Sequence, residues 1–468
     1  MIADDLGTWA AALRFDDLSE HAIHTVRQRL VDTLGCGLGA FDAEPSRAAR
    51  RLARALPPGP STVLGARHTA TADVATFVNG TMVRHLDFND GYLGLEPGHP
   101  SDNIAACLAV AEAEGRSGRD LVTAIALAYE VQVQLQDAAN LYRRGWDHVN
   151  YVLVAATLAA GKLMGLEARQ LTQAVNIALN GHIAMRQVRA GELSSWKGSS
   201  APNAARNGVF SAWLAREGFT GPAPIFEGEM GFMRQVSDSF VLEPLEFPHN
   251  SGSTYAVSRT LTKLLPTNGE MQTAVWAAFA LREKIADLDE IDRIVVDTTH
   301  IGWTILGKDP EKWRPTTRET ADHSLPYTVA RALVDGELTA SSYDPDALTD
   351  PAVGALMARV EVREDPVLTA MLPTRIPNRV TIRLTSGDKL VREVHDAPGG
   401  HRTPMTDEQF EKKFVALVEP LTTAARCSRM LDEIWNVDLA PTVTTLMKTL
   451  VVDDEPDGGR NQPPLAST

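Results

Sequence analysis

The stretch NYVLVAATLAAGKLMGL, residues 150–166, limits the fold more than any other part of this 468-residue chain. It is long enough for several helical turns and nearly free of polar side chains, so a helix built from it has little to offer water. Lys162 arrives too early for the run to cross a bilayer, which takes about 20 consecutive apolar residues. The segment must therefore sit inside a protein interior, surrounded by other helices.

The first half supplies those neighbours. In SEHAIHTVRQRLVDTLGCGLGAF, Ile23, Val26, Leu30, Val31 and Leu34 recur at spacings of three and four, and Gly35 and Gly37 read as stop signals. Ser117 with Asp120 forms an N-cap pattern ahead of LVTAIALAYEVQVQL, and residues 169–180 continue the helical period. Frequent Ala and Gly let such helices approach closely. The chain exceeds what one core usually organises, so two domains are expected.

The pattern changes near residue 265. EIDRIVVDTTH is β-branched and strand-like, and NRVTIRLTSGDKLVREV alternates Val380, Ile382 and Leu384 with polar residues before a turn at Ser386–Asp388, predicting a β-hairpin. Thr406 and Gln409 form a capping box that restores helix. The organisation predicted is an all-helical domain over 1–264, an α+β lid over 265–399, a helical return to the first domain over 400–455, and a disordered tail over 456–468. The fold class is mainly α.

Charge and cysteine content narrow the function. A formal net charge of -15 repels nucleic acid and anionic membrane, so neither is expected as a partner. The acidic N-terminus MIADDLGTWA lacks the order of a signal peptide, which predicts a cytoplasmic protein. Three scattered cysteines offer no zinc or iron–sulfur cage, and neither a nucleotide-binding glycine motif nor G-x-S-x-G occurs. No metal and no cofactor are expected. What remains is acid–base chemistry on an anion, with histidine moving protons and Lys or Arg supplying counter-charge.

Five segments gather polar groups beside Gly or Pro: HLDFNDGYLGLEPGHPSDN, RRGWDHVN, MRQVRAGELSSWKGSSAPNAARN, RTLTKLLPTNGEMQTAV and DPEKWRPTTRETADHSLPY. Taken singly, each group has a plain structural explanation. His99 and His148 read as cap or turn residues, Lys197 and Lys263 as solvated cations, and Tyr327 as a core residue with its hydroxyl at the surface. Residue types and spacing stop at a helical enzyme of unspecified chemistry.

These segments resemble the MmgE/PrpD family, which comprises 2-methylcitrate dehydratases together with cis-aconitate decarboxylase and iminodisuccinate epimerase. The likeness runs in family order from about residue 30 to 415. It implies a large helical domain and a smaller α+β lid, paired as a homodimer, with a di- or tricarboxylate bound in the cleft between domains. It also implies catalytic roles for Asp87, His99, His148, Lys197, Lys263 and Tyr327. Asn89, Tyr92, Arg186, Arg189, Arg318 and His323, from the same segments, are expected to bind substrate. Where many members carry Thr after the D-F-N-D run, this chain has Gly91, and a hydroxyl able to touch a substrate carboxylate is missing.

The reaction implied is metal-independent removal of water from 2-methylcitrate or a close relative. His99 and His148 would share the base and acid roles, Asp87 would orient a histidine, the two lysines would stabilise the carbanion, and Tyr327 would donate to the leaving oxygen or a carboxylate. Decarboxylation of cis-aconitate, or epimerisation or dehydration of another dicarboxylate, would use the same groups. A non-catalytic carboxylate-binding or scaffold protein is the alternative from outside enzymology.

Overall fold

The computed structural model describes residues 1–245, 254–400 and 402–452; the expected disordered tail lies outside the described residues. The apolar run forms the helix Val149–Leu163, buried at all but one of its positions. It packs against helices Gly118–Ala138, Ala168–Gly181 and Trp196–Arg216. Small residues set this spacing: a Cβ at Gly208 would meet the Thr157 backbone nitrogen at 2.9 Å and the Leu153 carbonyl at 3.1 Å. A larger side chain there would force the two helices apart.

Local chemistry fixes the flanking helices. Ser19 caps Glu20–Gly39 by accepting from the Ala22 N–H, and Ser117 and Asp120 close a reciprocal capping box on Gly118–Ala138. The box formed by Thr406 and Gln409 opens Asp407–Val418, whose Phe410 and Phe414 enter the same apolar core. This first core draws on residues from Ala3 to Val257 and again from Met405 to Val452. A second core, from Leu265 to Ile382, holds a four-stranded mixed sheet against helices. The fold is mainly helical with one small mixed sheet.

In that sheet the strand order is Val360–Glu364, Ile291–Thr298, Asn378–Leu384, Lys389–Val394. The first pair is parallel and the other two are antiparallel. Ile382 lies opposite both Ile294 and Leu390, so the alternation read in the sequence places one face on the core. Helices Gln272–Arg282 and Leu325–Asp335 contribute to the same core. Among the described residues no helix is long and apolar enough to cross a membrane.

Two chain segments join the cores, and they are bonded together. Gly91 and Leu261 exchange backbone hydrogen bonds of 2.9 and 2.8 Å, and the Thr262 N–H donates to the Gly399 carbonyl. Buried Arg29 donates to the hydroxyls of Thr260 and Thr262. Lys413 Nζ, from the returning helix, donates to the Lys263 and Phe88 carbonyls and to Asp32. The residue at the centre of this clamp is Lys263.

Candidate active site

A cavity of about 80 Å³ lies between the two cores. His99, His148, Arg186 and Arg189 line it from the helical side; Lys263, Glu270 and His323 line it from the other. His99 follows the two-stranded ladder Tyr92–Leu93 and Pro97–Gly98, and precedes a 3-10 turn that runs into the buried helix Ile104–Ala113. His148 stands at the N-cap of Val149–Leu163, while Lys197 lies in the first turn of Trp196–Arg216. Two of the most deeply packed helices therefore carry chemistry at their starts.

Hydrogen bonds fix the histidine tautomers. His99 Nδ1 is 2.6 Å from the Asp90 carbonyl, which can only accept, so the proton sits on Nδ1 and the lone pair on Nε2. His148 Nδ1 meets Asp147 at 2.9 Å and His323 Nδ1 meets Asp322 at 2.6 Å, with the same consequence. Asn268 Nδ2 is 3.1 Å from His323 Nε2 and donates to it. The rings of His99 and His148 lie 5.8 Å apart. Burial, with Arg84 and Lys263 nearby, pushes His99 well below its ordinary value. Burial also takes His148 and His323 down to about 4 despite their aspartates. All three are neutral near pH 7.

Deeper in, charge is matched group for group. Asp87 Oδ1 lies 3.1 Å from Arg84, 3.2 Å from Lys263 and 3.9 Å from Lys197. Lys197 Nζ also donates to both Asp322 oxygens at 3.0 and 3.1 Å, and Lys263 Nζ donates to the Asp87 carbonyl at 2.8 Å. Burial would raise the Asp87 carboxyl, but Lys197 and Lys263 outweigh it and hold it well below the usual range. Burial lowers Lys263 to about 8, against the pull of Asp87. Asp87 itself takes a positive φ of 48°, strain that these contacts sustain.

Asp87, Asp322 and His323 form the group of ligand-type side chains whose atoms lie close enough to gather a cation among the described residues. Two ammonium groups already occupy those carboxylates. A metal ion there would have to displace them.

Around the cavity, as at Asp87 Oδ2 and Asp102 Oδ2 in the inner network, some polar atoms are unsatisfied among the described residues. His148 Nε2, Arg189 Nη2, Glu96 Oε1 and Glu270 Oε2 are buried without a hydrogen-bond partner among the described residues. All four side chains line the cavity. Natural interiors satisfy nearly all such groups, so these four atoms are open to water or to a polar ligand in the cavity. A second cavity of about 570 Å³, lined by Arg259, Arg375 and Arg402 among others, shares Gly91, Tyr92 and Lys263 with the first. At Gly91 an added Cβ would meet only ordinary contacts of 3.6–3.7 Å, so packing does not demand glycine there.

The residues singled out from sequence divide accordingly. His99, His148, Lys263, Arg186, Arg189, His323 and Tyr92 face the cavity. Lys197 and Asp87 stand directly behind it, both 1% exposed rather than solvated. Asn89 accepts from Arg84 and donates to Ser101, which makes it part of the supporting network. Tyr92 donates to Asp137 and accepts from Arg259. Arg318 donates to the Ala340 carbonyl beside Tyr343.

Two of the expected catalytic roles are placed differently, and Asn89 and Arg318, expected to bind substrate, are outside the cavity lining. Among the described residues Asp87 hydrogen-bonds no histidine; the Asp90 carbonyl, Asp147 and Asp322 do that work, because the ammonium groups reach Asp87 first. Tyr327 lies in the second core, its hydroxyl donating to the Ser342 carbonyl at 2.6 Å and its ring 6.0 Å from Tyr343. Sequence reasoning did not single out Asp322, Asn268, Glu96 or Glu270. Only the pairing of Asp322 with the adjacent His323 gave any local signal.

Comparison with known proteins matches the chain to one family. The MmgE/PrpD N-terminal domain matches residues 4–245, and the MmgE/PrpD C-terminal domain matches residues 265–437. The chain is 32% identical to 2-methylcitrate dehydratase of Cupriavidus necator, over 90% of this chain and 91% of that protein. It is 31% identical to 2-methylcitrate dehydratase of Salmonella typhimurium over the same shares, and 29% identical to the mitochondrial 2-methylcitrate dehydratase of Yarrowia lipolytica over 88% and 83%.

Proposed function

The chain belongs to the MmgE/PrpD family, and from that premise we propose that it is a hydro-lyase removing water from 2-methylcitrate or a closely related tricarboxylate. The observation that carries the reading is the meeting of two neutral imidazoles, His99 and His148, with the Lys263 ammonium on one cavity. Such a set suits abstraction of a proton beside a carboxylate.

The physical demand of that step is specific. Removing the proton drives charge onto the neighbouring carboxylate, and the barrier falls if cations already point at the place where charge develops. Lys263, backed by Lys197 and held by Asp87, supplies positive charge that needs no reorganisation. Arg186 and Arg189 bind the remaining carboxylates. One imidazole takes the proton through its free Nε2, and the other holds the substrate or a water by accepting a hydrogen bond.

The test is to incubate the purified protein with 2-methylcitrate, citrate and cis-aconitate and follow products by proton NMR. Formation of an unsaturated tricarboxylate from 2-methylcitrate is expected. Loss of carbon dioxide from cis-aconitate, or deuterium uptake from solvent without net product, would replace dehydration by decarboxylation or epimerisation. Inertness toward every acid tried would overturn the reading.

A further inference from the structure

Dehydration needs an acid as well as a base, and the three cavity histidines are all uncharged near neutrality. A hydroxide leaves poorly unless it receives a proton as the carbon–oxygen bond breaks. Lysine and arginine at the cavity serve as counter-charges. A neutral carboxylic acid would meet the need.

Glu96 is 0% exposed, lines the cavity and lies on the turn between the strands of the Tyr92–Gly98 ladder, three residues before His99. Its Oε2 accepts from the backbone N–H groups of Leu141 and Tyr142 at 2.7 and 3.1 Å. This leaves Oε1 as the oxygen without a partner among the described residues. A proton on Oε1 would turn an orphaned acceptor into a donor, which is the group an anionic or hydroxyl-bearing ligand can use.

Resting on the dehydratase reading, we propose that Glu96 is the proton donor of this pocket, giving a hydrogen bond and then its proton to the departing hydroxyl of the substrate. The bookkeeping closes without another reactant. The C–H electron pair becomes the new double bond as imidazole takes the proton. The C–O pair leaves with oxygen, which takes the Glu96 proton and departs as water. Imidazolium and carboxylate remain, and one proton returned through water resets both.

The surroundings fit both states. Burial raises the Glu96 carboxyl to about 7, against its two backbone donors and Arg186, with Asp147 adding to the rise. Arg186, its guanidinium 5.2 Å from the Tyr142 ring, is placed to steady the carboxylate left after transfer. Tyr151, another titratable neighbour, donates to the Ala139 carbonyl and stays protonated.

Glu96→Gln keeps the shape and can still accept from Leu141 and Tyr142. It should lower dehydration by about 100-fold or more while retaining binding of tricarballylate and exchange of the substrate proton with solvent deuterium. Calorimetry in buffers of different ionisation enthalpy, above the pH at which Glu96 titrates, should show wild-type protein taking up a proton with tricarballylate and Glu96→Gln taking up less. Normal turnover and uptake in Glu96→Gln would overturn the assignment and leave the dehydratase reading intact. Uptake that depends on Glu96, in a protein that dehydrates nothing, would keep the donor and overturn dehydration. Should Glu96→Gln fail to fold, Glu270→Gln decides: uptake lost with Glu270→Gln, or absent in wild type, excludes Glu96.

Discussion

The two ends of the site are built on opposite rules. At the inner end Arg84, Lys197 and Lys263 face Asp87, Asp102 and Asp322 at salt-bridge distances, and most of the polar atoms there are engaged. At the cavity end His148, Arg189, Glu96 and Glu270 each keep a buried atom without a partner among the described residues. The inner end is a charge-paired scaffold, although Asp87 Oδ2 and Asp102 Oδ2 also lack a hydrogen-bond partner among the described residues. The cavity end is left incomplete, with three acceptors and one donor open to a partner that is polar on several sides.

Replacing groups at the open end should strike turnover before stability. His148→Gln or His99→Gln should lower kcat by about 100- to 10,000-fold, with a melting temperature close to wild type; a smaller loss would remove that histidine from proton transfer. At the closed end the order reverses. Lys197→Met strips the ammonium from Asp322 and leaves a buried carboxylate unpaired, a change worth about 3–5 kcal/mol. Denaturant unfolding should show that loss, and an unchanged midpoint would mean the inner charges are not a scaffold.

Gly98→Ala probes the seam between the ends, because the new Cβ would meet Gln136 Nε2 at 2.6 Å and His148 Cδ2 at 3.0 Å. A displaced imidazole should lower kcat by up to about 100-fold, which single-turnover kinetics can measure.

Proton linkage gives a gentler test. With the Glu96 acid raised to about 7 and Lys263 lowered to about 8, kcat/KM should decline roughly tenfold per pH unit above 7 and more steeply above 8. His148 is depressed to about 4 in the folded chain and sits near 6.5 when unfolded. The unfolded state therefore binds more protons between those values, and stability should fall as pH drops from 6.5 toward 4. A flat melting temperature across that window would contradict the burial of His148. The smallest effect expected is none: with ammonium groups already on Asp87 and Asp322, EDTA should leave activity unchanged, and loss rescued by a divalent ion would reassign the inner end to metal.

How much of this was legible in the sequence depended on how local the signal was. The capping pairs Ser117–Asp120 and Thr406–Gln409 and the alternation of Val380 and Ile382 rest on contacts a few residues apart, and the structure forms them. His99, His148, Lys197 and Lys263 came from motif resemblance, since nothing in their spacing brings them together. Glu96 was invisible because its character comes from burial and from backbone donors 45 and 46 residues away. Tyr327 is the opposite case: four residues from His323 in sequence, its hydroxyl donates to the Ser342 carbonyl in the second core.

Lys263 lies on the strip of backbone where both crossings between the cores are bonded together and clamped by Arg29 and Lys413. A door turning on such an axle sweeps its far edge widely and its hinge pin hardly at all. If the smaller unit opens to admit substrate, the wall bearing His323 travels, whereas the ammonium at the pivot stays where the charge will be needed.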